Sequence, residues 1–200
     1  MKHNNILIYF ALAAMLFAGC GGRNYSPKPQ AYLRIDMPEH NYVGTDTMPA
    51  CATLPFSFEM NNLAALSLKE HTQRDMWVDI NYPQWDGVVF LTHRRLRSPD
   101  SLRSQVDEST RLLEQHYQVT SGVEEQRYED PEHRVYGTVY YLKGRKVAST
   151  CQFWLTDSTR NFLRGALFIN HTPNNDSLAP VIGYMQADIE HLVETLRWRD

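Results

Sequence analysis

The stretch VYGTVYYLKGRKVASTCQFWLTD, Val135 to Asp157, is rich in β-branched and aromatic residues on both sides of Lys143-Gly144. That composition predicts two strands around a turn, because branched and flat side chains pack well on a pleated surface and glycine relieves the turn backbone. FLRGALFIN, Phe162 to Asn170, adds a third strand, so this part of the chain reads as a meander.

Working back toward the N-terminus, MWVDINYP sets Trp77, Asp79 and Asn81 against Met76, Val78, Ile80 and Tyr82. VVFLTH follows after Asp86-Gly87, so a hairpin is expected. Two more short strands are expected, one at YLRIDMP from Tyr32 and one at LPFSFEM, where Phe56, Phe58 and Met60 share a face. Ser98-Pro99 opens a helix, with a capping hydroxyl ahead of proline at the first helical position. Leu102, Val106, Leu112, Leu113 and Tyr117 mark its apolar face, Ser109 is the weak position, and the helix ends near Gln118. Working forward, Asp176 or Ser177 caps a last helix whose stripe is Leu178, Val181, Ile182, Met185, Ile189, Leu192, Val193 and Leu196. The sum is an α+β fold, a twisted antiparallel β-sheet covered by two main helices. A PsbP-like sandwich is the nearest analogy, one of shape only.

Between the last strands and the last helix lies TDSTRNFLRGALFINHTPNNDS, dense in polar groups. Ser158, His171 and Asp157 or Asp176 are the residue types of a hydrolase, but no Gly-x-Ser-x-Gly elbow is present. Asp and Ser between two strands more often close a turn by bonding their own backbone. Arg164-Gly165 inside an apolar strand implies either an outward arginine on the side of Phe162 or one paired inward with Asp157. The glycine implies a bulge or a close approach.

The eight histidines occur singly, without His-x-His or His-x-x-x-His, so no metal site is expected; His191 and Glu194 read as a solvated pair one turn apart. Glu124, Glu125, Glu129, Asp130 and Glu132 lack the alternating ligands and central glycine of a calcium loop and read as a solvated loop. His93 to Arg97, HRRLR, is the one basic cluster in the sequence and reads as a solvated strand end or loop. With the other basic residues dispersed among acids and a formal charge of −3, nucleic acid is not an expected partner.

The first residues, MKHNNILIYFALAAMLFAGC, carry Lys2, an apolar run from Ile6 to Ala18 and then Gly19-Cys20. The run is shorter than the about 20 residues of a membrane-spanning helix and has the form of an export signal. Small residues before Cys20 form a lipobox, so residues 1–19 are expected to be a signal peptide and Cys20 the acylated first residue. Residues 20–31 follow as a tether with Pro27 and Pro29, and 32–200 as a single globular domain. Two further cysteines, Cys51 and Cys151, are left open between a disulfide and two unpaired, partly buried thiols.

PKPQAYLRIDMP, the block from Val135 to Val181 and DIEHLVETLRW together resemble the gliding motility lipoprotein family GldD. Gln30-Ala31 stands where Arg-Gly is expected, and Cys51 and Cys151 are not associated with the family. The resemblance implies a non-enzymatic envelope component with no cofactor and no carried-over catalytic residue. It implies a palmitate-bearing lipid anchor in the outer membrane, facing the periplasm. Its implied partners are other gliding and type IX secretion lipoproteins and envelope proteins. On this reading Asp157, Arg160, Arg164 and Asn174 are the candidate partner interface. The alternative is a periplasmic ligand-binding lipoprotein with a cleft lined by Trp77, Trp85 and Trp154.

Overall fold

A computed structural model describes residues 35–69, 72, 75–170 and 174–199. The signal segment, Cys20, the tether and His171 lie outside the described residues. In chain order the strands and helices are β1 (Tyr42–Gly44), β2 (Phe56–Ser57), β3 (Glu59–Asn61), β4 (Ala65–Leu68), β5 (Asp75–Tyr82), β6 (Gly87–Arg95), α1 (Pro99–Glu114), β7 (Gly122–Asp130), β8 (Val135–Lys143), β9 (Cys151–Thr156), β10 (Asn161–Ile169), α2 (Asn175–Thr195) and β11 (Arg197–Trp198). The fold is mixed α+β, as the pattern of strands and helices implied.

Seven strands form one antiparallel sheet in the order β4-β5-β6-β10-β9-β8-β7, and β1-β3 and β2-β11 form two small ribbons. β5 and β6 are the expected hairpin, with Asp86 at φ 48 in the turn. β10 inserts between that hairpin and the β7–β9 meander, so the two halves close into one sheet.

Period-two alternation sends the two helices to opposite faces. Val78, Ile80, Leu91, Phe153, Leu155, Leu163 and Leu167 join Val181, Met185, Ile189, Leu192 and Val193 of α2 in the main core. Their sequence neighbours Trp77, Thr92, Phe162 and Arg164 point the other way and meet Gln105, Ser109 and Leu112 of α1. Each large aliphatic buried in that core contributes about 1.5–3 kcal/mol relative to exposure. The α2 stripe and the buried residues from Cys51 to Met60 therefore share one core with this face of the sheet.

Several local readings are corrected. Ile35–Met37 is not a strand, although Ile35 and Met37 pack on the core. LPFSFEM splits at Phe58 because its halves pair with different partners, β2 with β11 and β3 with β1. Phe56, Phe58 and Met60 are nonetheless all buried. The acidic loop is instead β7, an edge strand whose residues are mostly exposed. It lacked apolar alternation because its backbone pairing to β8 supplies most of its anchorage, with Tyr128 packed on the core and Glu124 bonded to Lys143, and its charges suit an edge that must not recruit another strand. The connection after Lys143-Gly144 runs on to Cys151 rather than closing tightly, with Gly144 at φ 148.

α1 starts at the expected place. Ser98 Oγ accepts from the Ser101 amide at 3.3 Å and the Ser101 hydroxyl accepts from the Ser98 amide at 3.0 Å, a reciprocal cap. It ends at Glu114, a turn before Gln118, and Tyr117 is 48% exposed. Asn174, not Asp176 or Ser177, occupies the cap position of α2, and Ser177 donates back to the Asn174 carbonyl at 2.9 Å. Gly165 marks a close approach without a bulge. It sits directly opposite Phe153 in an unbroken register, and a Cβ there would lie 2.1 Å from the Phe153 ring. The ring fills the space that the missing side chain leaves.

Candidate functional site

At one end of the sheet, Arg95 from the end of β6, His133 and Arg134 from the β7–β8 turn, Asp157, Thr159, Arg160 and Asn161 from the β9–β10 turn and the start of β10, and Trp198 and Arg199 at the C-terminal end of the described chain line a cleft of about 580 Å³. Antiparallel order explains the convergence, since the end of β6 and the two hairpin turns fall on the same edge of the sheet. β11 reaches them by pairing with β2. Among the described residues that line this space, four are arginines and one, Asp157, carries a carboxylate.

That carboxylate is internally consumed. Asp157 is 7% exposed. Its Oδ1 accepts from the amides of Thr159, Arg160 and Asn161 at 2.8, 2.7 and 2.9 Å, and its Oδ2 accepts from Asn161 Nδ2 at 2.8 Å. Burial pushes its pKa up, but the donated N–H groups together outweigh burial and hold the carboxyl below its ordinary value. Ser158 sits at the crest of this turn at φ 65, and its amide donates to Thr156 Oγ1 at 3.0 Å. Asp157 is therefore a turn anchor, with both oxygens already occupied, rather than an exposed contact residue or an orienting partner for a nucleophile.

Asn161 extends the network inward. Its Nδ2 serves Asp157, so its Oδ1 accepts from His93 Nε2 at 3.0 Å. His93 is 3% exposed, so it departs from the solvated strand end that holds for Arg95 and Arg97, and burial lowers its pKa so that the ring is held neutral. His93 Nδ1 then carries a lone pair, buried and without a hydrogen-bond partner among the described residues. His133 accepts a different task, bonding Asp130 through its ring at 2.7 Å and through its amide at 3.1 Å. The His133 ring is the main reason the Asp130 carboxyl lies below its ordinary value.

Two of the four arginines are already positioned. Arg134, at φ 56, donates to Thr159 Oγ1 at 3.1 Å while its carbonyl accepts from Trp198 Nε1 at 3.1 Å. Arg199 donates to the Cys51 carbonyl at 3.0 Å. Arg95 and Arg160 are exposed, with no side-chain partner among the described residues. The sequence pointed to Arg160 but not to Arg95, Arg134, Trp198 or Arg199 as one site, because nothing in their spacing along the chain links them.

The other residues singled out from the sequence lie apart. Arg164 is on the α1 face, half-buried, with Nη2 donating to Gln152 Oε1 at 2.9 Å; it faces the side of Phe162 and does not pair with Asp157. Asn174 accepts from Arg145 Nε at 3.4 Å, next to an Arg145–Asp176 ion pair at 3.6 Å. It follows the far end of β10, whose nine residues separate it from Arg160 by roughly 27 Å of strand. The three tryptophans do not share a cleft either. Trp85 stacks edge-on to Tyr184 on the α2 side, while Trp77 and Trp154 lie on the α1 side, Trp154 stacked on Phe162. The cavity beside Trp77 holds only about 160 Å³.

Cys51 and Cys151 are both free and buried rather than bridged. They lie near different charged groups, Arg199 for Cys51 and Glu190 for Cys151, and burial raises both thiol pKa values. His191 bonds Glu59 at 2.7 Å and stacks on Tyr42 at 3.6 Å between centroids, so it is not a solvated partner of Glu194.

No helix among the described residues is long and apolar enough to cross a membrane. A search of curated proteins finds no match. A family model described as gliding motility lipoprotein GldD matches residues 22–198, nearly the whole chain and all of the cleft except Arg199, and the chain belongs to that family.

Proposed function

We propose that the protein is a lipid-anchored, non-enzymatic envelope component that supports assembly or stability of the gliding and type IX secretion machinery. Anchoring is assigned to Cys20, in the outer membrane with the domain facing the periplasm; acyl chains contribute roughly 0.8 kcal/mol per buried CH₂, so the attachment comes from lipid. Its partners are other gliding and secretion lipoproteins and envelope proteins. The family match motivates the setting, and the cleft is the observation that carries a partner-binding role. Four arginines gathered in a chain of net negative charge make a local field opposite to that of the molecule as a whole, a pattern that steers and orients a complementary partner.

The interface proposed from the sequence narrows accordingly. Arg160 remains at its centre, Asp157 supports it from within, and Arg164 and Asn174 are assigned to packing and to the start of α2. In-cell crosslinking and pull-down of the full-length lipoprotein tests the reading. Gliding or secretion components are expected with the unmodified protein and are expected to fall away in Arg160→Glu, a position whose side chain bonds none of the described residues. Recovery of no envelope protein at all would refute the proposal.

A further inference from the structure

The cleft offers its ligand an unusual set of donors. Compact phosphates are commonly cradled by converging backbone N–H groups. Here the amides of Thr159, Arg160 and Asn161 all turn inward to Asp157 and have no donor left for a ligand. What remains are guanidinium groups from four separate segments, spread around about 580 Å³, with the half-buried Trp198 ring, whose Nε1 donates to the Arg134 carbonyl, in the same wall. Guanidinium forks pair with carboxylates two-pronged, and their separation suits several charges along an extended ligand better than one compact anion. Arg134 and Arg199 are held by Thr159 and by the Cys51 carbonyl, so part of the ordering cost is met before anything binds.

We infer that this cleft recognises an acidic, carboxylate-bearing peptide segment of a partner protein, with Arg95, Arg134, Arg160 and Arg199 as its carboxylate ligands. The inference rests on the partner-binding reading above and names the chemistry of that partner. Asp157 takes up the loop amides, that of Arg160 among them, and so leaves the guanidinium groups as the donors a ligand meets.

The test is a fluorescence-polarisation titration of the full-length lipoprotein in detergent micelles with a labelled oligoglutamate peptide. Saturable binding is expected, weakening as salt rises and absent for oligolysine. Arg95→Glu with Arg160→Glu should weaken it about tenfold or more. Arg103→Glu with Arg127→Glu, an equal charge change at exposed positions outside the cleft, should leave it unchanged. Circular dichroism and melting establish that each variant folds; if the Glu pair does not, Arg95→Gln with Arg160→Gln carries the test in the same direction. No saturable binding, an equal loss in the control pair, or displacement by inorganic phosphate beyond that of sodium chloride at matched ionic strength overturns the inference. Peptide binding without any gliding or secretion protein in the crosslinks sinks the functional reading alone. Partners recovered without peptide binding sink the inference alone.

Discussion

Asp157 and Asp188 are both buried, at 7% and 3% exposure, yet they are stabilised in opposite ways. The groups that satisfy Asp157 come from two to four residues along the same turn. Asp188, in the middle of α2, is met instead by His40 Nδ1 at 2.7 Å and by Asn61 Nδ2 at 3.2 and 3.1 Å, from 148 and 127 residues away. Around it, Asn61 also donates to the Tyr184 hydroxyl at 2.8 Å, and His40 stacks on Tyr184 at 4.0 Å between centroids. Burial, then the Asp188 carboxylate, push the phenols of Tyr42 and Tyr82 well above their ordinary range. One aspartate shapes a loop, and the other ties the segment leading in from the N-terminus to the last helix. A carboxylate held locally can form its turn before the fold is complete. A carboxylate held by distant groups is satisfied only once the fold exists.

The largest effect is expected for Asp188→Ala, a loss of about 3 to 4 kcal/mol, because Asn61 at 0% exposure is left with an unmet donor. Denaturant unfolding would give the number. Hydrogen exchange should rise across Tyr42–Gly44 and Glu59–Asn61, far from the substitution in sequence. Asp157→Ala should cost less, about 2 to 3 kcal/mol, with faster exchange confined to the Thr159, Arg160 and Asn161 amides. Equal loosening of both regions by either variant would erase the distinction between local and long-range anchoring.

The pH dependence sharpens it. Asp157 has a folded-state pKa below its unfolded value, so its contribution is complete above about pH 4 and is lost as pH falls through the folded pKa. The stability gap between the unmodified protein and Asp157→Ala should therefore narrow on acidification below about pH 4; a constant gap down to the lowest pH at which both fold would contradict the charged-turn account. Smallest is Ser158→Gly. Relieving φ 65 at a non-glycine residue is expected to raise stability by about 0.5 kcal/mol in thermal unfolding, with the cleft unchanged.

The same division runs through the rest of the molecule. Alternation at Met76–Tyr82, the apolar run Phe162–Asn170, the Ser98-Pro99 start and the stripe of α2 were all legible, because apolar patterning and capping are short-range consequences of burial. The Asp157 turn was legible for the same reason. β7 was not, since an edge strand held by backbone pairing needs no apolar pattern, and the far bound of α1 was not, since Tyr117 lies past the last helical turn.

The cleft belongs wholly to the second kind. Arg95, Arg134, Arg160 and Arg199 are spaced widely along the chain, and although Arg95 falls in the basic cluster and Arg160 in the polar turn, nothing in the sequence links the four. The insertion of β10 between the β5–β6 hairpin and the β7–β9 meander puts the end of β6 and two hairpin turns on one edge, and the β2–β11 ribbon adds the C-terminal pair. By itself the sequence determined the β5–β6 hairpin, the strands β8 to β10, the two helices, the turn chemistry and the family. Which distant charges share a surface, and which distant groups satisfy Asp188, only the tertiary structure decided, because strand order and register are set by the summed burial of both sheet faces and leave no mark at any one residue.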